Sequence, residues 1–349
     1  MSEKIGVLLV NLGTPDAARY GAVRRYLNEF LTDERVIDLP WLSRQLLVTG
    51  LIVPRRCMNS TRLYQSIWTQ QGSPLLLHSQ AARDHLQVIL GDTFQVVLGM
   101  RYQSPSLLLA LEELRTIGVD QLIVFPLFPQ YASATTGSIH AKVMEIVKTW
   151  NVIPSLTMVN NYCTDPGFIN AFAEIGRSCR PQDYDHVLFS YHGLPERHLK
   201  KADSTGLHCL QKTGCCASLG PLNRHCYRAQ CYATTRALAD ALQIDDYTIC
   251  FQSRLGNDPW TQPYAEETIR KCAQKGYKRL LVFAPSFTCD CLETIYEIAQ
   301  EYAGVFKQEG GQQLTLVPSL NSHPSWIAAL ANLVHVHTNP ILLKAHQSL

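Results

Sequence analysis

Short apolar runs rich in β-branched and aromatic residues alternate with longer amphipathic stretches along the whole chain. In the first half the runs are Ile5–Val10, Gln95–Leu98, Gln121–Phe125 and Leu156–Val159. In the second half they are His186–Ser190, Tyr247–Phe251, Arg279–Phe283 and Leu314–Val317. Runs of four to six such residues read as strands buried on both faces. Between them, Ser106–Arg115 and Gly137–Trp150 carry helical periodicity. This alternation predicts an α/β fold, with parallel sheets covered by helices on both faces.

The two halves also resemble each other. GVDQLIVF (118–125) matches GYKRLLVF (276–283) at an offset of 158 residues. The same offset carries Leu156–Val159 onto Leu314–Val317 and Pro166–Ile169 onto Pro324–Ile327. The opening strands pair as well, GVLLVNLGTP (6–15) with HVLFSYHGLP (186–195). One weak match between buried strands means little; a constant offset through strand, loop and helix points to internal duplication. The expectation is two doubly wound domains, 1–160 and 161–338, with a cleft between them. A last helix at about 322–336 packs back on the first domain, and a plain tail occupies 339–349. Two inserts break the repeat. One is an apolar stretch at 36–56, which composition alone would pack against the core; the other, at 202–231, is rich in cysteine.

Against this scaffold one histidine stands out. His192 follows the run His186–Ser190, where Gly193 and Pro195 turn the chain, so it sits at the carboxyl end of a buried strand. A histidine there often does no more than hydrogen-bond in the core. The duplicated position holds Leu12, however, so the scaffold does not require the imidazole. A second stretch lies beyond Arg279–Phe283, where a helical pattern begins near Asp290. Glu293, Glu297 and Glu301 recur every four residues on one face of it. Solvation is the ordinary fate of such a face, but oxygen ligands in a row also suit a divalent cation. Asp290 reads as the N-terminal cap. Arg101 and Tyr102 end the strand at Gln95–Leu98, where Arg suits a carboxylate clamp. Trp260, in a Gly- and Pro-rich loop, offers a stacking surface.

Composition narrows the function classes. The chain has 349 residues, is 46% hydrophobic and carries a net charge of +2, so nothing points to nucleic acid. No run of about 18 apolar residues suggests a spanning helix. The chain enters a strand at once, leaving no room for a signal peptide, so the cytosol is the default. Twelve cysteines then suggest metal, redox chemistry or plain burial rather than disulfides. There is no GxGxxG, P-loop or GxSxG.

Several motifs in series resemble the ferrochelatase family: GSPL (72–75), GMRYQSP (99–105), PQYASATTGS (129–138), SYHGLP (190–195), QSRLGNDPW (252–260) and DCLET (290–294). The resemblance spans nearly the whole chain and looks bacterial. It implies two Rossmann-like domains of chelatase type, and an enzyme that inserts Fe²⁺ into protoporphyrin IX to give protohaem. By motif, His192 and Glu293 take the catalytic and metal-binding positions, with Glu297 and Glu301 as a metal entry path. Arg55 and Ser73 match positions that hold propionates, and Arg101, Tyr102 and Trp260 match substrate-site residues. The 36–56 insert corresponds to the family's lip, which admits porphyrin and touches a membrane surface, so peripheral contact with the inner membrane is expected. Coproporphyrin III is the alternative substrate, and a non-catalytic porphyrin- or haem-binding protein the alternative function. The chain departs from the family in places: Phe128 replaces a common tyrosine, Cys291 a histidine found in some members, and Ser133 a cluster cysteine of the animal enzyme. An animal-type cluster is therefore not expected.

The second insert places Cys209, Cys215, Cys216, Cys226 and Cys231 within 23 residues. Four thiolates can hold a [2Fe–2S] centre or a tetrahedral zinc. The resemblance to bacterial relatives with an internal-loop cluster implies [2Fe–2S] on Cys209, Cys215, Cys216 and Cys226, with Cys231 in the next helix.

Overall fold

The computed structural model describes residues 4–254, 256 and 258–338. The tail at 339–349, and Leu255 and Asn257 of the QSRLGNDPW stretch, lie outside the described residues.

Eight strands form two four-stranded sheets. The first sheet contains β1 (Ile5–Gly13), β2 (Phe94–Tyr102), β3 (Gln121–Pro126) and β4 (Ser155–Met158), in the order β2-β1-β3-β4. The second contains β5 (His186–His192), β6 (Tyr247–Gln252), β7 (Arg279–Phe283) and β8 (Gln313–Leu316), in the order β6-β5-β7-β8. Every pairing is parallel. The two central strands, β1 and β5, are buried almost throughout, which is why they read as unbroken apolar runs. β5 outlasts its apolar run: Tyr191 is fully buried opposite Phe251, and His192 still pairs with Gln252. The strand therefore ends two residues later than hydrophobicity alone predicts.

The duplication runs through helices and loops as well as strands. The helices Pro166–Ser178 and Pro324–Val336 stand 158 residues apart at both ends. So do β4 and β8. After β2 the Met100 amide donates to the Pro105 carbonyl at 2.6 Å; after β6 the Phe251 amide donates to that of Pro263 at 2.8 Å. These two prolines again differ by 158.

The chain divides into two compact units. The first comprises residues 4–128, 133–160 and 321–338, and the second 129–132 and 161–320. The helix Pro324–Val336 thus belongs to the first unit, where it packs on the helix Pro74–Leu90. Phe94 meets His335 edge-on at 5.4 Å, and the Gln121 side chain donates to the His337 carbonyl at 3.0 Å. In the second unit the helix Pro166–Ser178 packs against the helix Tyr227–Leu242. Gly176 lets it approach the sheet, because a Cβ there would stand 2.6 Å from the Phe283 ring.

The insert at 36–56 lies in the first unit and forms the helix Trp41–Leu47, a π-helical turn Val48–Ile52 and the start of the helix Val53–Ile67. Composition alone would bury it, but helical periodicity splits it into two stripes. Val48, Val53 and Cys57 are buried, while Leu39, Trp41, Leu42, Leu46 and Leu51 face solvent, with Trp41 66% exposed. No helix among the described residues is long and apolar enough to cross a membrane.

Candidate active site

In the second unit, His192 closes β5 beside Gln252 of β6. On the β7 side the ladder stops earlier, at Phe189 opposite Phe283. The His192 amide and carbonyl are met instead by side chains. The amide donates to the Ser286 hydroxyl at 3.3 Å, and the Tyr227 hydroxyl donates to the carbonyl at 2.8 Å. The imidazole Nδ1 lies 2.6 Å from the Gly193 carbonyl. A carbonyl only accepts, so Nδ1 carries the hydrogen and the neutral ring keeps its lone pair on Nε2. Gly193 itself is required by packing: a Cβ there would stand 2.2 Å from Nε1 of Trp260. Trp260 is buried, and its loop is zipped to the turn after β5. The Thr261 amide donates to the Leu194 carbonyl at 2.8 Å, and the Glu196 amide to that of Pro259 at 3.0 Å.

Gln252 joins His192 to the acidic helix. Its side chain accepts from the Ser190 hydroxyl at 2.8 Å and donates to the Glu293 carbonyl and to a Glu297 carboxylate oxygen, both at 2.9 Å. The helix begins at Glu293, three residues after Asp290, and is a π-helix through Tyr302 before continuing as an α-helix, Ala303–Gln308. Asp290 does not cap it through a side chain; its carboxylate takes the Thr294 hydroxyl at 3.0 Å and the Ser319 amide at 3.3 Å. The Glu297 carboxylate is held from several sides. Besides Gln252, the Ser253 amide donates at 2.7 Å, the Ser253 hydroxyl at 2.5 Å and the Tyr302 hydroxyl at 2.9 Å. Ser253 adopts a left-handed φ of 63° to do so. That conformation costs about 1–3 kcal/mol and is held by its surroundings. Glu301 is exposed, and its carboxyl is raised by partial burial and then by the Glu297 charge. Cys291 is buried against Glu293; burial, then the carboxylate beside it, pushes its thiol well up.

In the first unit, Arg101 and Tyr102 end β2 and converge on Asp33. The guanidinium pairs with the carboxylate at 2.5 Å, and the Tyr102 hydroxyl donates to it at 2.9 Å. The Ser138 hydroxyl, which accepts from Arg101 Nε at 2.7 Å, also donates to the carboxylate. Burial opposes the charge on Asp33, yet Ser138, the Arg35 amide and Arg101 together hold its carboxyl below the usual range. Arg101 is thus engaged by Asp33 rather than free as a clamp. Ser73 is buried and shares a 2.9 Å hydrogen bond with Thr14. Arg55 is exposed on the helix Val53–Ile67.

No disulfide joins any of the twelve cysteines among the described residues. In the second insert Cys215 and Cys216 lie 3.8 Å apart, sulfur to sulfur. Cys226 lowers the Cys209 thiol, while Cys209 pushes that of Cys226 up to about 11. The Arg228 guanidinium reaches the Cys216 sulfur at 3.5 Å. The Asp203 carboxylate accepts from the amides of His208 and Cys209 and organises the loop. Among the described residues, no three His, Cys, Asp or Glu side chains stand in metal-holding geometry.

Known proteins decide what this arrangement is. The ferrochelatase family model matches residues 4–338. The ferrochelatase of Legionella pneumophila (strain Lens) is 46% identical over 332 residues, covering 95% of this chain and 98% of that protein. The chain belongs to the ferrochelatase family. The Coxiella burnetii ferrochelatase is 44% identical over 335 residues, covering 95% and 93%. Among solved structures, the sirohydrochlorin chelatase SirB from Bacillus subtilis in complex with cobalt shares the fold, with a TM-score of 0.55 at 10% identity and 97% coverage of both chains. Another SirB structure, with Fe³⁺, gives 0.53 at 11% identity, covering 95% and 94%. The chain is a ferrochelatase-family lyase that inserts Fe²⁺ into a porphyrin, the last step of haem biosynthesis. Four residues of this ferrochelatase fold, two in each unit, carry hydrogen bonds to the expected residues of their own unit without being singled out by sequence. Gln252 and Ser138 lie inside recognised motifs, Asp33 follows a helix with no distinguishing pattern, and Tyr227 is concealed among cysteines.

Proposed function

We propose that His192 accepts protons from the porphyrin ring and that Glu293 receives Fe²⁺. Supporting this is the tautomer fixed by the Gly193 carbonyl, which leaves Nε2 as a base or ligand. In the reaction two pyrrole N–H bonds break, Fe–N bonds form and two protons leave. Glu293 stands on the same sheet edge through Gln252. Glu297 and Glu301 extend from it along the helix as an entry path for hydrated cation. Arg55, exposed beside the lip, is assigned to a propionate. Ser73, Tyr102 and Trp260 are assigned to porphyrin binding, and Arg101, paired with Asp33, to holding that carboxylate beside Tyr102.

The substrate is protoporphyrin IX rather than coproporphyrin III. The exposed Leu39, Trp41, Leu42 and Leu46 suit a ring with two carboxylates better than one with four. The protein works in the cytosol, and the same apolar stripe touches a membrane surface peripherally; flotation with anionic vesicles, lost in Trp41→Glu, tests this. Cys209, Cys215, Cys216 and Cys226 would hold a [2Fe–2S] cluster, with Arg228 offsetting thiolate charge. Such a cluster supplies a one-electron couple. Iron and labile-sulfide assay of anaerobically purified protein decides that point.

The central experiment is Fe²⁺ insertion into both porphyrins by wild type, His192→Ala and Glu293→Ala, with porphyrin binding followed separately. Both variants should lose about 10²-fold or more in kcat while still binding porphyrin. Undiminished insertion in both would remove the assignment.

A further inference from the structure

The helix Tyr227–Leu242 starts within the cysteine-rich insert, immediately after Cys226. Its first residue reaches the His192 carbonyl, at 2.8 Å. The place is significant because β5 has lost its β7 neighbour by this residue. In a parallel ladder the amide and carbonyl of one residue point to the same side. Those of His192 point to the vacated side, since the Gly193 amide donates to Gln252 on the other, at 2.9 Å. The Tyr227 and Ser286 hydroxyls complete the missing edge, one on the carbonyl and one on the amide. The duplicated position is treated differently. The Leu12 amide donates to the side chain of its own neighbour Asn11, at 2.8 Å.

We propose that Tyr227 is a positioning residue for His192. The Tyr227 ring is buried, so the hydroxyl has little freedom to leave the carbonyl. With the Ser286 hydroxyl on the amide, it fixes the end of β5 from which the imidazole projects. The inference rests on His192 serving metallation.

The test is Tyr227→Phe and, separately, Ser286→Ala, reading kcat, KM for porphyrin, porphyrin Kd and Tm. Tyr227→Phe should lower kcat about tenfold or more, as a displaced reacting group does, with KM and Kd within twofold of wild type. A purely structural role would move binding and Tm together with turnover. Ser286→Ala, on the other side of the same residue, should reproduce the kcat-only loss. Unchanged kcat in Tyr227→Phe overturns the positioning role. His192→Ala run alongside separates the failures: full activity there removes the reading of the site itself.

Discussion

Single residues carry both the chemistry and its liabilities. His140, in the helix Ser138–Val147, is buried, and burial lowers its pKa despite a hydrogen bond to the Val159 backbone; the Arg35 charge lowers it further. His186 is lowered in the same way, with Asp246 opposing. A histidine whose folded pKa is depressed binds fewer protons in the folded chain than in the unfolded one. Its contribution to stability is full above the unfolded value of about 6.5 and is lost as pH falls towards the folded one. Thermal midpoints should therefore drop between about pH 7 and pH 5, and His140→Asn should flatten that drop. An unchanged slope in the variant would exclude His140 as a source. His192 was legible at this scale because Gly193 and Pro195 mark where its strand ends. Asp33 was not, since a lone aspartate after a helix has no periodicity, and only the fold brings Arg101, Tyr102 and Ser138 to it.

At the scale of elements, the central strands β1 and β5 were readable because strands buried on both faces leave no polar interruption. Their ends were less readable. Polar residues such as Gln252 and His192 remain in the ladder after the apolar run stops, and hydrogen bonds rather than hydrophobicity hold them. The acidic helix shows a different limit. Glutamates every fourth residue look alike in α and π registers, so nothing in Glu293–Tyr302 announces the wider turn. The register still matters, because it sets which way Glu293 points while Glu297 stays bound to Gln252 and Ser253. Deleting Gln300, an exposed residue in that segment, should restore an α register and turn the preceding residues by about 100°. Insertion activity should fall at least tenfold with far-UV circular dichroism unchanged. Retained activity would show that the carboxylates tolerate either register.

Across the whole molecule, the constant offset of 158 residues foretold two similar units. The helix Pro166–Ser178, which follows β4, lies in the second unit, and the packing of Gly176 on Phe283 shows how it covers that sheet. Removing everything beyond residue 320 should therefore cripple the first unit. Trp326, Leu330 and Val334 are fully buried, and side chains of that kind contribute about 1.5–3 kcal/mol each. Their sum is comparable to the roughly 5–15 kcal/mol that holds a domain together. Hydrogen exchange should then show lost protection in β1 to β4 and retained protection in β5 to β8. Protection kept in the first sheet would contradict this.

The exchange of end helices also orders events during synthesis. Residues 161–320 emerge as one block and contain nearly everything the second unit needs. The first unit, although its strands leave the ribosome earliest, waits for its covering helix at the far end of the chain. The half made first is the half finished last, and until then the helix Pro74–Leu90 must stay soluble without the helix that packs on it.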